Sequence, residues 1–244
     1  MLPDPEFPPL LSGHAVAAAE DPFEVAIQAA GKGELAAGDL CWSRAETHAR
    51  AAIVLEPECS LSRAIQMAPL LMVAIGDALG AIGPPNLAFM YRWPATLLAN
   101  GGEVGEVMLH VPESVGLDDT PGFMVLGFSI AMSLPADIHD APGLARHATA
   151  LFEEGCGELD RTQVLEAVAR HFLSWVDAWE HDGFGAAHAD FLGRMQPVDK
   201  LVVVIGPDTH EGRMVGIDED GGLLLEDADG VRGLSIAQGL GIAG

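Results

Sequence analysis

A long apolar segment constrains the fold of this chain more than any other feature of its sequence. Leu61–Leu79 is predominantly apolar, with Ser60 or Ser62 as a helix cap before it and Gly80 after it. Polar or helix-breaking residues interrupt the segment at Gln66, Pro69 and Asp77. A membrane-spanning helix needs about 20 consecutive apolar residues. The segment therefore predicts a helix buried in the core of a folded domain.

The large excess of acidic over basic residues argues against two classes of binding partner. The 244 residues carry 36 acidic and 12 basic side chains, a formal net charge of −24 at pH 7. This balance repels nucleic-acid phosphates and anionic membrane surfaces, so we expect neither as a partner. The acidic, proline-rich start lacks the basic residues and apolar core of a secretory signal, so we expect a cytoplasmic protein.

The cysteines and histidines do not form a recognisable reactive site. Cys41, Cys59 and Cys156 cannot all pair, and none lies in a Cys-x-x-Cys motif. They fit a reducing compartment as small apolar side chains, although a catalytic thiol is an alternative. His181 and His188 are separated around two glycines and lack the ligand spacing of a zinc site. We expect no bound metal.

The order of predicted elements indicates an α+β protein with three parts: an extended proline-rich arm (1–13), a large domain (14–196) and a small β-barrel domain (197–244). Helices are predicted at Asp21–Lys32, Leu61–Leu79, Gly143–Glu154, Arg161–Glu180 and Gly185–Met195. Strands are predicted at Asp39–Ser43, Ala51–Leu55, Leu87–Trp93, Thr96–Ala99, Val104–His110 and Gly122–Met132. A hairpin turn is predicted at Asn100-Gly101 and a loop at Pro135–Pro142. The barrel strands are predicted near Leu201–Ile205, Arg213–Ile217, Gly222–Glu226 and Val231–Leu234.

Three segments resemble the biotin–protein ligases. Tyr91–Val107 contains Arg-Trp-Pro, an apolar strand, Asn-Gly and a return strand, and resembles that family's Lys/Arg-Trp-Pro-Asn-Asp hairpin. Gly127–Ala131 resembles the family's Gly-x-Gly-Ile-Asn strand, and Gly212–Glu226 resembles a strand pair of its C-terminal barrel. The resemblance implies the class II synthetase-like fold of biotin and lipoate ligases, a mixed sheet covered by helices. It also implies a small SH3-like barrel. The sequence itself gives no indication of a DNA-binding helix-turn-helix before the ligase-like domain, so we expect none.

Compared with the family's motifs, this chain lacks several residues that the ligase reaction needs. Such ligases join a carboxylate to the α-phosphate of ATP and pass the acyl group to a carrier lysine, which requires preorganised cations and backbone amides. Where the family has a lysine on the return strand, this chain has Glu103. Where the family has a Gly/Arg-rich loop, only Arg44 and Arg50 are present. Further departures are Ala95-Thr96 for Asn-Asp, Glu20-Asp21-Pro22-Phe23 for Asp-Ser-Thr-Asn, Glu106 for glycine and Ala131 for asparagine.

These departures predict a degenerate active site with no assigned catalytic residue. The ligand-binding residues are expected to be Arg92, Trp93, Glu103, Glu106, Gly127 and Ser129, with His110 as a further polar neighbour. The expected partner is a small carboxylate-bearing ligand or a biotinyl or lipoyl carrier protein. Biotin or lipoate and ATP are expected as cofactors only if ligase activity survives.

Two alternatives are open. One is an active biotin or lipoate ligase, or an acyl transferase, with altered catalytic residues; a transferase needs a lysine and a cysteine, for which Lys32 and Cys156 are poorly placed candidates. The other is a purely structural or interaction protein, in which two copies form a homodimer through a sheet edge.

Overall fold

The computed structural model describes residues 2–134, 148–196, 201–205 and 208–242. The first sheet contains β1 to β7, which are Ser12–Val16, Asp39–Ser43, His48–Leu55, Phe89–Arg92, Thr96–Ala99, Gly102–His110 and Met124–Ala131. The second sheet contains β8 to β11, which are Leu201–Ile205, Asp208–Ile217, Leu223–Asp227 and Gly230–Leu234. The helices, α1 to α6, are Pro22–Gly31, Leu61–Ala64, Met67–Ile82, Arg161–Asp182, Gly185–Gly193 and Ile236–Gly239.

The first sheet is mixed. Its seven strands are ordered β1-β2-β3-β7-β6-β5-β4, with β1 parallel to β2 and the other pairs antiparallel. The second sheet has four antiparallel strands ordered β11-β10-β9-β8. The predicted fold class is confirmed: a mixed sheet with helices is followed by a small, barrel-like antiparallel unit.

Strand alternation divides the core between the two faces of the first sheet. On β3, Ala51 and Ile53 face the cluster that contains α3 and α4, whereas Ala52 and Val54 face the cluster around α1. Successive side chains of a strand point to opposite faces. Because both faces are covered, the middle of β3 reads as a continuous apolar run without polar alternation. One face thus carries the larger core and the other carries α1.

The long apolar segment is a core helix, as predicted. Leu61–Ile82 contains an 18-residue window with a mean hydropathy of 1.7, so the segment is long and apolar enough to span a membrane by those criteria alone. However, 78% of that window is buried inside the protein. The segment is divided between α2 and α3 near Gln66. This division places Pro69 in the first turn of α3, where its missing N–H removes no helical hydrogen bond.

The prediction of a helix at Gly143–Glu154 is wrong in its described part. Ala148 forms a parallel bridge with Glu103, and the Thr149 N–H donates to the Glu103 carbonyl at 2.8 Å. The Leu151 N–H donates to the Ala131 carbonyl at 3.0 Å, and turns follow. The N–H groups of Thr149 and Leu151 therefore donate to strands of the first sheet and cannot form helical hydrogen bonds. The rest of that prediction, and the loop predicted at Pro135–Pro142, lie outside the described residues.

Two elements were missed at the ends of the chain. β1 begins at Ser12, inside the segment assigned to the arm, and pairs in parallel with β2. The short helix α6 follows β11, with Ser235 as its cap. The predicted domain boundaries at 14–196 and 197–244 stay predictions, although the first sheet and α1–α5 precede residue 197 and the second sheet follows it.

Candidate functional site

A row of polar side chains crosses the first sheet. The strand register places them directly opposite one another in the order Arg92, Thr96, Glu106, Ser129 and Arg50, on β4, β5, β6, β7 and β3. Opposite residues in neighbouring strands share a face of the sheet. Arg50 lies two residues before Ala52, which packs in the α1 cluster, so the row lies on the α1 face.

A cavity of about 100 Å³ opens between this row and the start of α1. Its lining residues are Asp21, Pro22, Phe23, Arg50, Ala51, Glu106, Met108, Phe128 and Ser129. The Arg50 Nε–H donates to Ser129 Oγ at 3.1 Å. Asp21 caps α1 by accepting from the Phe23 N–H at 2.9 Å. The cavity therefore combines one arginine, already bonded to a hydroxyl, with the carboxylates of Asp21 and Glu106.

Arg92 is engaged at the other end of the row. Its guanidinium donates to the carboxylate of Glu103, and its Nε–H donates to Gln196 Oε1 at 3.3 Å. The Arg92 side chain is 33% exposed and that of Glu103 is 42% exposed, so solvent screens this pair only in part. The residue at the family's lysine position thus neutralises the nearby arginine.

The structure separates the six predicted ligand-binding residues. Glu106 and Ser129 line the cavity, whereas Arg92 pairs with Glu103 at the other end of the row. Trp93 is buried, and its indole N–H donates at 3.1 Å to the carbonyl of Gly221, which lies in the turn between β9 and β10. Gly127 lies beneath the cap of the cavity, because a Cβ added there would be 2.6 Å from Phe23 Cδ2.

Two other polar residues were not predicted as part of this site. Asp21 and Arg50 both line the cavity, whereas from the sequence Arg50 is interpreted only as a remnant of the missing loop. The predicted strand began at Ala51, whereas β3 begins at His48. Side chains two residues apart in a strand share a face, so extending the predicted strand back from Ala52 to Arg50 would have placed Arg50 on the cavity face.

His48 does not supply the missing positive charge. It lies two residues before Arg50 on β3 and therefore on the same face. Burial lowers the pKa of His48, and the charge of Arg50 lowers it further. A histidine pKa below its ordinary value of about 6.5 leaves the ring mostly neutral at pH 7. The predicted neighbour His110 has its ring 6.3 Å from that of Phe123.

The lysine and cysteine of a transferase site do not meet here. Lys32 caps the C-terminal end of α1, whereas the cavity adjoins the N-terminal end. A helix of this length separates its ends by about 15 Å. Burial raises the pKa of the Cys156 thiol, and the charge of Glu154 raises it further. Both observations weigh against the transferase alternative.

The three thiols are expected to differ in reactivity. Cys41 is 1% exposed and Cys156 is 2% exposed, while Cys59 is partly exposed. Burial raises the pKa of Cys41 to about 11. Titration with Ellman's reagent at pH 8 should therefore modify Cys59 first, with the other two reacting only after unfolding. The control is Cys59→Ser, which should abolish the early phase; rapid reaction of two or more thiols in the folded protein would contradict this prediction.

Within the described residues, no group of three or more His, Cys, Asp or Glu side chains is arranged to hold a metal ion. The polar row and its cavity are the candidate site because the strand register brings their polar side chains together on the α1 face, in a small concavity that is acidic at Glu106 and Asp21. Its two arginines are each hydrogen-bonded to a side chain of the site or its border.

Comparisons with known proteins identify the family. The family model for the biotin/lipoate A/B protein ligase family matches residues 7–193. A biotin protein ligase-like protein of unknown function from Silicibacter sp. TM1040 has a TM-score of 0.85 and 30% identity, covering 96% of this chain and 98% of its own. Biotin protein ligase from Aquifex aeolicus, without ligand, has a TM-score of 0.74 at 17% identity, covering 92% and 96% of the two chains, and supports the fold alone. The biotin–[acetyl-CoA-carboxylase] ligase of Paracoccus denitrificans is 28% identical over 183 residues, which cover 73% of each chain. The chain therefore belongs to the biotin/lipoate A/B protein ligase family.

Proposed function

We propose that this chain is a non-adenylating family member that binds a small neutral or cationic ligand, or a biotinyl or lipoyl carrier domain, in the cleft on the α1 face. The observation that carries the proposal is the pairing of Arg92 with Glu103, at the position where the resemblance expects a lysine. Adenylation brings a carboxylate and a triphosphate together, so the site must supply positive charge. Here that charge is neutralised within the site.

The remaining groups of the cleft support the same conclusion. Arg50 donates to Ser129, and Glu106 adds an exposed carboxylate between the two arginines of the row. Removing one preorganised donor from an oxyanion site costs about 2.7–4 kcal/mol of transition-state stabilisation. An added carboxylate also repels both anionic substrates. A neutral group, such as the amide that joins biotin or lipoate to a carrier lysine, escapes this repulsion.

Cavity size favours recognition of a small group or of one end of a larger ligand. The cavity formed by the described residues measures about 100 Å³. Pockets that enclose drug-sized ligands measure about 300–1,000 Å³. A carrier domain would therefore bind mainly to the surface around the cleft, with only a small part of its ligand inside.

The active-ligase alternative has one observation in its favour, the Paracoccus relative named as a biotin ligase. In that case biotin, lipoate and ATP would be bound as substrates and the charge lost at Glu103 would be replaced by another group. In the structural alternative the cleft binds nothing and the chain functions through its surface. A homodimer paired through β1, which is an edge strand of the first sheet, belongs to that alternative.

Calorimetric titration separates these alternatives. We expect biotinamide and lipoamide to bind more tightly than free biotin and lipoate, with the amide-to-acid ratio falling several-fold in Glu106→Gln because one repulsive charge is removed. Glu113→Gln, outside the cavity lining, is the matched control and should leave the ratio unchanged. Tighter binding of the free acid, increased by ATP, would support the active ligase. Binding of neither form, and of no biotinylated or lipoylated carrier domain, would support the structural alternative.

A further inference from the structure

Two arginines lie over one tryptophan on the opposite side of the sheet from the cleft. The Cζ atoms of Arg44 and Arg161 are 5.1 Å and 5.0 Å from the centre of the Trp42 ring. Trp42 pairs with Ala51 and packs in the α3 and α4 core, so this cluster is separate from the polar row. Two cations this close repel each other and require a nearby anion.

Glu46 of the β2–β3 loop and Asp4 of the N-terminal arm both place a negative charge near Arg161, and Asp4 pairs directly with Arg44. The Asp4 carboxylate accepts from Arg44 Nη1 at 2.6 Å and from Nη2 at 2.8 Å, a bidentate pair. The preceding carbonyl, of Pro3, accepts from Arg161 Nη2 at 3.2 Å and from Thr162 Oγ1 at 2.9 Å. The cluster therefore binds a backbone carbonyl followed immediately by an aspartate.

Hydrogen bonds from backbone N–H groups also hold the arm before and after Pro3-Asp4. The Glu6 N–H donates to Glu166 Oε1 at 2.8 Å, and the Leu2 N–H donates to Glu46 Oε1 at 3.4 Å. The Phe7 ring then packs at the backbone of Gly13, where an added Cβ would be 2.7 Å from Phe7 Cδ2. The arm is thus held as an extended peptide would be, through main-chain groups, one carboxylate and one aromatic side chain.

We propose that Arg44, Arg161 and Thr162 form a recognition site for an extended acidic peptide containing Pro-Asp, and that the arm occupies this site in cis. Proline favours the extended backbone that this geometry needs. The partner is therefore another protein segment with Pro-Asp followed within a few residues by a bulky apolar side chain. Such a segment would compete with the arm for the same groups.

The arm does not fill the site. Arg161 is only 2% exposed, yet its Nε–H has no acceptor within the part of the chain that the structure describes. Burial lowers the pKa of Arg161, and the charges of Glu46 and, to a smaller extent, Asp4 oppose that change. Buried donors are normally hydrogen-bonded, so this unpaired Nε–H favours a ligand that offers one more acceptor than the arm does.

The test uses a variant of the full chain in which the arm is released from the site, and it measures whether a peptide then binds there. In Asp4→Lys the arm gains a cation facing two arginines, so the hydrogen-bonded amides of Leu2 and Glu6 should exchange their hydrogens faster. A fluorescent peptide with the sequence of residues 2–9 should bind this variant about tenfold or more tightly than it binds the unchanged protein, whose site is occupied. Replacing the peptide's aspartate by asparagine should weaken binding by a similar factor. Glu6→Lys is the matched arm control and should bind like the unchanged protein.

The other results of this experiment either support or refute the recognition site. Arg44→Ala should also release the arm but should not bind the peptide, because the site itself is lost. If Asp4→Lys is folded with a released arm and binds no peptide, the recognition site does not exist. If its arm stays protected, Asp4 does not hold the arm. Should Asp4→Lys not fold, excess peptide added to the unchanged protein must accelerate hydrogen exchange at the Leu2 and Glu6 amides. No acceleration there refutes competition for the site.

Discussion

The purified protein, incubated with ATP, Mg²⁺ and either biotin or lipoate, is expected to release pyrophosphate at least about a thousandfold more slowly than an active biotin protein ligase assayed in parallel. One missing oxyanion donor lowers a rate by about 10²–10³. Here Glu103 occupies the lysine position and its carboxylate binds Arg92. The loop between β2 and β3 spans residues 44–47 and contains no glycine for a phosphate cradle.

Restoring the lysine alone should not restore the reaction. Glu103→Lys would break the pair with Arg92 and place a second cation next to it, so the two charges would repel. Glu106 would still face the cleft, and the glycine loop would still be missing. We therefore expect Glu103→Lys to stay within about tenfold of the unchanged protein in acid-dependent pyrophosphate release. Release at the rate of the active ligase, by either protein, would overturn the non-adenylating function.

Local signals in the sequence were sufficient for much of the fold. The β5–β6 hairpin follows from Asn100-Gly101, whose φ angles are 48° and 90°, values that a two-residue turn of this kind requires. The long helices follow from apolar spacing and caps, as at Asp160, where a capping box starts α4. The elements that were missed or wrong depend on distant partners. β1 pairs with a strand across α1, and the segment at Ala148 pairs with β6.

The sequence predicted only part of the cavity lining, Glu106 and Ser129, and not the arrangement of the polar row. Strand alternation could place Glu106 and Ser129 in the cleft. The row from Arg92 to Arg50 depends on the register of four strand pairs, with an irregularity between Leu97 and Leu98. A slip of one residue moves a side chain to the other face. The pairing of Arg92 with Glu103 therefore could not be read from the sequence, although it decides the electrostatics of the cleft.

Gly105→Ala is expected to destabilise the protein by about 3 kcal/mol. Gly105 lies in the middle of the sheet, between Leu97 of β5 and Ile130 of β7. An added Cβ would overlap the carbonyl oxygen of Ser129 and lie 3.0 Å from the Cα of Ile130. Both obstacles are backbone atoms of a hydrogen-bonded strand, so relief requires moving the sheet itself. Overpacking of this kind costs about 1–3 kcal/mol, and occasionally more.

The entropy that alanine removes from the unfolded chain offsets only about 0.4–1 kcal/mol of this cost. Gly122→Ala is the matched control, because an added Cβ there has no heavy atom within 4 Å and the backbone does not have a positive φ. Urea denaturation should show a markedly lower midpoint for Gly105→Ala and a change within about 0.5 kcal/mol for Gly122→Ala. Because Ser129 must move with its carbonyl, Gly105→Ala should also weaken ligand binding in the cleft. Equal stability of the two variants would show that β6 and β7 do not approach each other as closely as the structure places them.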